Sequence, residues 1–244
     1  MSPLERKRYN NAMQAMDFAT RLRAQRALLW STQEKDIHMP RSAGFWNLIA
    51  KNYARKPVDD ENAYRHKLEV TQTFLEPDMK VLEFGCGSGT TALIHVPHVA
   101  HIDAIDYSRN MIAIARDKAR REAIDNVTFK TASIEDWNAR GGSYDAILGL
   151  SILHLLQDPD AVIAKVRDLL KPNGLFFSST VCIGDMPGLM PKFLPIAWTL
   201  RIIPYIYKLR ETELMSKLQR AGFEIEYDWR NGPGRGVFIV ARAV

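Results

Sequence analysis

Residues 81–89 read VLEFGCGSG, four strand-forming residues running straight into glycines at 85, 87 and 89. No other stretch narrows the fold as much. Closely spaced glycines allow backbone conformations barred to other residues, so the chain turns sharply where this strand ends. The TTALIHV that follows suits a short helix. Strand, glycine turn and helix together open a unit of an α/β sheet whose ligands sit beyond the carboxyl ends of its strands. A phosphate-binding loop would close with Gly-Lys-Ser/Thr, and none follows. A dinucleotide fingerprint counted from Gly85 would need glycine at position 90, where Thr90 stands, and this speaks against a nicotinamide-dependent dehydrogenase.

The rest of the chain repeats the alternation. GFWNLIAKNYARKPV and DDENAYRHKLEVTQTFL read as amphipathic helices, and HIDAIDYS as a strand ending on Asp106. A helix (RNMIAIARDKARREA), two strands (VTFKTA and YDAILGLSIL) and another helix (DPDAVIAKVRDLLK) follow. PNG closes that helix, with Gly174 expected in the left-handed position. LFFSSTV, RETELMSKLQRAGF and EIEYDWRNGPGRGVFIVARA add a strand, a helix and two strands about a Gly/Pro turn. This pattern predicts one α/β domain: a doubly wound, Rossmann-like sheet, mostly parallel with an antiparallel C-terminal strand, and helices on both faces.

Charge excludes some functions. The net +5 is unevenly placed: residues 1–57 carry +7 and the remaining 187 residues −2. The near-neutral body lacks the basic face expected of a nucleic-acid binder. The basic part, residues 1–43, reads as a helical extension with Arg21, Arg23 and Arg26 close together. It suits a solvated arm, a contact for an acidic partner or an Arg-rich transit peptide, and DIHM (36–39) also resembles an expression-vector junction with Met39 as the natural start. Cys86 and Cys182 are too few for a disulfide framework or a metal site, which with the lack of a secretory signal points to the cytoplasm. No run reaches the roughly 18 apolar residues of a membrane span.

Two acids refine the ligand. Glu83 lies two residues before the first glycine, and Asp106 ends the second strand 21 residues past Gly85. A carboxylate there can accept from both hydroxyls of a ribose, and close-packed glycines let the backbone approach an adenosine ligand that has no pyrophosphate.

With these features the chain resembles the class I S-adenosylmethionine-dependent methyltransferases, most closely the small-molecule branch that includes ubiquinone and menaquinone biosynthesis enzymes. The resemblance covers roughly residues 44–244 and rests on VLEFGCGSG, IDAIDYS, YDAILGLSILHLLQDP and LLKPNG, in that order. It implies S-adenosylmethionine as cofactor and S-adenosylhomocysteine as product. It places Gly85, Cys86 and Gly87 against the amino-acid end of the cofactor, with Glu83 ordering their loop. It gives the ribose to Asp106 and an adenine stack to Tyr107. Ser133 and Ile134 match positions at the adenine edge, where the family often has an acid instead of Ser133. Leu150 would set its backbone beside the sulfonium, and Tyr53 lies in a helix resembling the family's lid over the cofactor.

A sulfonium methyl is already activated, so such an enzyme needs chiefly to align the acceptor and exclude water. His154, just past the fourth strand, is the candidate general base, with a structural role in its own loop as the alternative. His95, His98 and His101 read as a loop-edge group rather than a metal site. The insertion at about 184–210, with its prolines, Trp198, Tyr205 and Tyr207, reads as an apolar lid over a hydrophobic or amphipathic acceptor, with contact to a membrane surface open. The expected reaction is methyl transfer to an O, N or C atom of a small, partly apolar molecule. A nucleic-acid or protein methyltransferase and a non-catalytic cofactor-binding subunit stay open as alternatives.

Overall fold

VLEF, IDAI and AILGL are apolar at successive positions, as suits strands covered on both sides. In the computed structural model, which describes residues 43–186, 205–230, 232 and 236–244, they form the centre of a seven-stranded sheet. Its strands are β1 (Lys80–Phe84), β2 (His101–Asp106), β3 (Val127–Thr131), β4 (Tyr144–Leu150), β5 (Leu170–Thr180), β6 (Phe223–Arg230) and β7 (Val237–Ala243). They lie in the order β3-β2-β1-β4-β5-β7-β6, and β7 runs antiparallel to both of its neighbours. The order reverses beside β1, which opens a crevice at the carboxyl ends of β1 and β4.

Six α-helices among the described residues cover the sheet: α1 (Ala43–Arg55), α2 (Glu61–Phe74), α3 (Thr90–His95), α4 (Arg109–Arg121), α5 (Pro159–Leu169) and α6 (Glu211–Arg220). Several start on side-chain caps. Asp60 accepts from the Ala63 N–H, Ser108 from Met111 and Asp158 from Ala161, each satisfying an amide the first turn leaves open. Strand residues alternate between two cores. Leu82, Phe84, Ile147 and Phe176 pack with Ile163 of α5 and Leu218 of α6, whereas Val81, Leu148, Phe177 and Val240 share the other core with Ala115 of α4 and Val70 and Phe74 of α2.

PNG does not close α5 as expected: the helix ends at Leu169 with Leu170 as its cap, and PNG falls within the span of β5. Asn173, not Gly174, takes the left-handed conformation, with φ 62°. Gly174 is needed for space: a Cβ there would lie 2.9 Å from the Lys171 carbonyl and 3.1 Å from that of Asp145. Expectations for residues 1–42, and for 187–204 of the expected lid, fall outside the described residues. The described ends of that insertion are joined: Gly184 N–H donates to Leu209 O (2.9 Å) and Glu211 N–H to the Asp185 carboxylate (2.8 Å).

Candidate functional site

The turn after β1 has its three glycines at φ +65°, +54° and +74°. They serve different ends. A Cβ on Gly89 would strike Ala115 at 2.7 Å and Phe129 at 2.8 Å, so this glycine is demanded by the core. A Cβ on Gly87 would meet nothing within 4 Å; its open side faces the crevice.

Asp106, at the end of β2, holds the two loops of the crevice together. One carboxylate oxygen accepts from Gly87 N–H (2.9 Å) and the other from Ser108 N–H (2.7 Å). Burial raises its pKa, and these two amides act against the rise. Each oxygen retains a lone pair that can accept from a ligand hydroxyl.

Glu83 lies beneath this turn, 3% exposed, and its Oε2 has no hydrogen-bond partner. Burial first, and the Asp106 charge second, push its carboxyl up to about 8. A buried acid with an orphaned oxygen is costly unless a cation or donor completes it. Nearby, the Tyr64 hydroxyl is paired with Thr91 Oγ1 at 3.0 Å.

The crevice holds roughly 440 Å³ of space, partly open to solvent, and is lined by Gly85, Gly87, Asp106, Tyr107, Leu150 and Tyr53 among the expected residues. Trp46, Met111, Ser151, Ile152 and Leu155 complete it. Helix α1 forms one wall. It is fixed by Asn47, whose side-chain oxygen accepts from Ser108 Oγ (2.8 Å) and whose carbonyl accepts from Asn110 Nδ2 (2.8 Å). Trp46 meets Tyr53 edge-on, ring centroids 5.7 Å apart. The Trp46 indole N–H points toward the Tyr107 hydroxyl without forming a well-aligned hydrogen bond. Burial, then the charges of Asp106 and Glu135, raises the Tyr107 pKa. Half of Tyr53 is exposed, yet its hydroxyl end is sheltered, and desolvation followed by the Asp106 charge raises its pKa as well.

Five expected site residues do not line the crevice: Glu83, which lies beneath the turn, and Cys86, Ser133, Ile134 and His154. Cys86 is buried, with its thiol turned to the Gly87 carbonyl (3.8 Å) and its pKa raised well above the usual range by burial. Ser133 donates to the Asp136 carboxylate (2.9 Å) and accepts from its N–H (3.1 Å), so its hydroxyl is committed locally; Ile134 sits in the core. His154 lies in the short turn Leu153–Leu155, its Nδ1 buried without a partner and its imidazole pushed down to about 4 by burial. Its carbonyl accepts from Tyr207 N–H at 2.8 Å. The ring is therefore neutral near pH 7 and a weak base. Among the described residues no group of three or more His, Cys, Asp or Glu could hold a metal.

Five lining residues were not expected from the sequence, and Trp46 and Ser151 show two different reasons. Trp46 is seven positions before Tyr53 on one helix, hence on the same face, and that signal was available. Ser151 adopts φ 58°, and nothing in its residue type announces this.

The residues fit an adenosine-sulfonium ligand: a carboxylate with open lone pairs at Asp106, aromatic rings at Trp46 and Tyr107, an open glycine at 87 and an orphaned acid at Glu83. Comparison with known proteins agrees. A family model described as methyltransferase domain matches residues 81–174. The ubiquinone biosynthesis O-methyltransferase of Xanthomonas axonopodis pv. citri (strain 306) is 31% identical over 192 residues, covering 72% of this chain and 78% of that protein. A solved S-adenosylmethionine-dependent methyltransferase from Mesorhizobium loti superposes with TM-score 0.61 at 18% identity, covering 72% of this chain and 95% of that one. The [4+2]-cyclase SpnF reaches TM-score 0.67 at 17% identity, covering 85% and 97%. At such identities the two structures speak to the fold alone.

Proposed function

Because this chain belongs to the class I S-adenosylmethionine-dependent methyltransferases, in their small-molecule branch, we propose that it methylates a phenolic oxygen on a ring carrying an apolar substituent. The enzyme uses S-adenosylmethionine on a small-molecule acceptor. The observation that carries the choice of oxygen is the 31% identity to a ubiquinone biosynthesis O-methyltransferase across most of its length. Met111, Leu150, Ile152 and Leu155 on the crevice wall suit an acceptor of that kind.

The bound cofactor supplies an electrophilic methyl group on sulfur; the chain's part is to hold both partners and keep water out. Asp106 accepts from the ribose while keeping the turn after β1 in place through Gly87. The backbone of Gly85, Cys86 and Gly87 would pack on the amino-acid end, with Glu83 below ordering their loop. Trp46 and Tyr107 would flank the adenine; Ser133 and Ile134, which do not line the crevice, would meet its edge only through their backbone. Leu150 would set its backbone beside the sulfonium, and Tyr53 would cover the crevice from α1. His154 stays a neutral structural ring. A cytoplasmic location belongs to the same reading: both cysteines are unpaired, and no helix among the described residues is long and apolar enough to cross a membrane.

The test is incubation with methyl-labelled S-adenosylmethionine and a panel of prenylated catechols, matched amines and matched carbon acids. Label in an aryl methyl ether is the expected result. Label confined to the amines or carbon acids contradicts the proposal.

A further inference from the structure

At the carboxyl end of the sheet, Leu150, Ser179, Phe238 and Trp229 follow one another in strand register across β4, β5, β7 and β6. They face α2, and two consecutive residues of that helix rest on them. His66 packs against Trp229 with ring centroids 4.4 Å apart and planes tilted by 45°, and its Nε2 lies 2.9 Å from the Tyr227 hydroxyl. Lys67 donates from Nζ to Ser179 Oγ at 3.3 Å.

Lys67 has no evident structural reason to be an amine. Among the described residues no carboxylate lies within ion-pair distance of it, and its hydrogen bond is a long one to a neutral hydroxyl. Burial lowers its pKa, while the charge of Asp60 at the start of the helix acts the other way. A partly desolvated ammonium held so loosely is costly unless an anion completes it. Its support leads to the crevice. The carbonyl of Ser179 accepts from Ser151 N–H at 2.7 Å, and Ser151 is the exposed, left-handed residue on the crevice wall directly after Leu150. A non-glycine residue held at such a φ is strained, and strain of this kind concentrates at ligand sites. Lys67 does not itself line the crevice, but through Ser179 it stands one residue behind Ser151, which does, while His66 is taken up by Tyr227 and Trp229.

We propose that Lys67, propped by Ser179, is an acceptor-binding residue that holds the reacting oxygen as a phenolate. Its ammonium favours ionisation of the bound phenol, whose proton leaves to solvent. Transfer then needs only the O–C bond to form from the phenolate lone pair as the S–C bond breaks, with no base in the crevice. This accounts for a neutral, buried His154. It also makes Lys67 a selector for acidic hydroxyls over aliphatic alcohols. The inference rests on the phenolic-acceptor reading above.

The probe is 4-nitrocatechol, whose visible spectrum reports its ionisation, titrated below its first pKa into the chain saturated with S-adenosylhomocysteine. Wild type should bind it as the phenolate. Lys67→Met should bind it about 10- to 100-fold more weakly, without the phenolate spectrum, since a charge-assisted hydrogen bond is lost. Lys67→Arg should keep the phenolate signal. All three should show the same thermal response to S-adenosylhomocysteine. Equal ionisation and affinity in Lys67→Met overturns the role of Lys67 and leaves the phenolic reading intact. So does loss of the S-adenosylhomocysteine response in Lys67→Met, which would place the residue on the cofactor side. If wild type neither binds 4-nitrocatechol nor methylates any catechol, the phenolic reading and this proposal fall together.

Discussion

Replacing Asp106 by alanine separates the two duties of one carboxylate. In the free chain it accepts from Gly87 N–H and Ser108 N–H, so Asp106→Ala leaves two amides without their acceptor. Each costs about 1–3 kcal/mol if it stays dry and less where water reaches it, so the ligand-free variant should be less stable by about 1–3 kcal/mol in all. If Asp106 holds the ribose as proposed, the same change also removes charged hydrogen bonds to it in the complex, about 1.5–3 kcal/mol apiece. One or two such bonds weaken S-adenosylhomocysteine roughly 10- to 1000-fold and more. Calorimetric titration of wild type and variant, with S-adenosylhomocysteine and with its 2′-deoxy analogue, isolates the direct contact as a double-mutant cycle. A coupling above about 1 kcal/mol between Asp106 and the 2′-hydroxyl is expected. A coupling below about 0.3 kcal/mol, the level at which independent sites add, would refute the contact, even if affinity fell through damage to the loop.

The glycine turn yields a contrast: Gly89→Ala forces a Cβ to 2.7 Å from Ala115 and should unfold the chain or cost at least about 3 kcal/mol, whereas Gly87→Ala should cost only about 1–2 kcal/mol of strain yet abolish the thermal response to S-adenosylhomocysteine. Glu83, pushed from 4.5 to about 8, holds its proton more tightly in the folded chain. Its contribution is therefore fully present at low pH and is lost as pH rises from 4.5 through 8, by at most about 1.4 kcal/mol per pH unit. Denaturant unfolding of wild type against Glu83→Gln should diverge across that window, and parallel curves would contradict it. His154, lowered from 6.5 to about 4, favours the neutral folded form, so its contribution is lost as pH falls from 6.5 through 4. His154→Asn should leave turnover nearly unchanged while lowering Tm, and a variant that binds the cofactor normally but no longer turns over would restore the base.

The sheet was legible because its strands announce themselves: VLEF, IDAI and AILGL are apolar at consecutive positions, and the glycine turn fixes where the first one ends. The crevice that Gly87 and Asp106 share was legible for the same reason, since both are tied to strand ends whose positions follow from the pattern. What could not be read depended on contacts between distant elements. That Ser133 gives its hydroxyl to Asp136, that Cys86 turns into the core and that His154 is buried are outcomes of packing, and the residue types allow the opposite. Asn173 took the turn conformation expected of Gly174 because asparagine also tolerates positive φ, while crowding by two carbonyls kept Gly174 glycine. Lys67 carried no signal at all, being one of several charged residues on an amphipathic helix until Ser179 and Ser151 are placed beneath it.

The central claim is methyl transfer from S-adenosylmethionine to a phenolic oxygen, and one reaction tests it most directly. The purified chain is incubated with methyl-labelled S-adenosylmethionine and a prenylated catechol, and the organic extract is resolved by mass spectrometry. The account predicts a labelled aryl methyl ether together with one equivalent of S-adenosylhomocysteine. Tight binding of S-adenosylmethionine with no label in any phenolic product would contradict it.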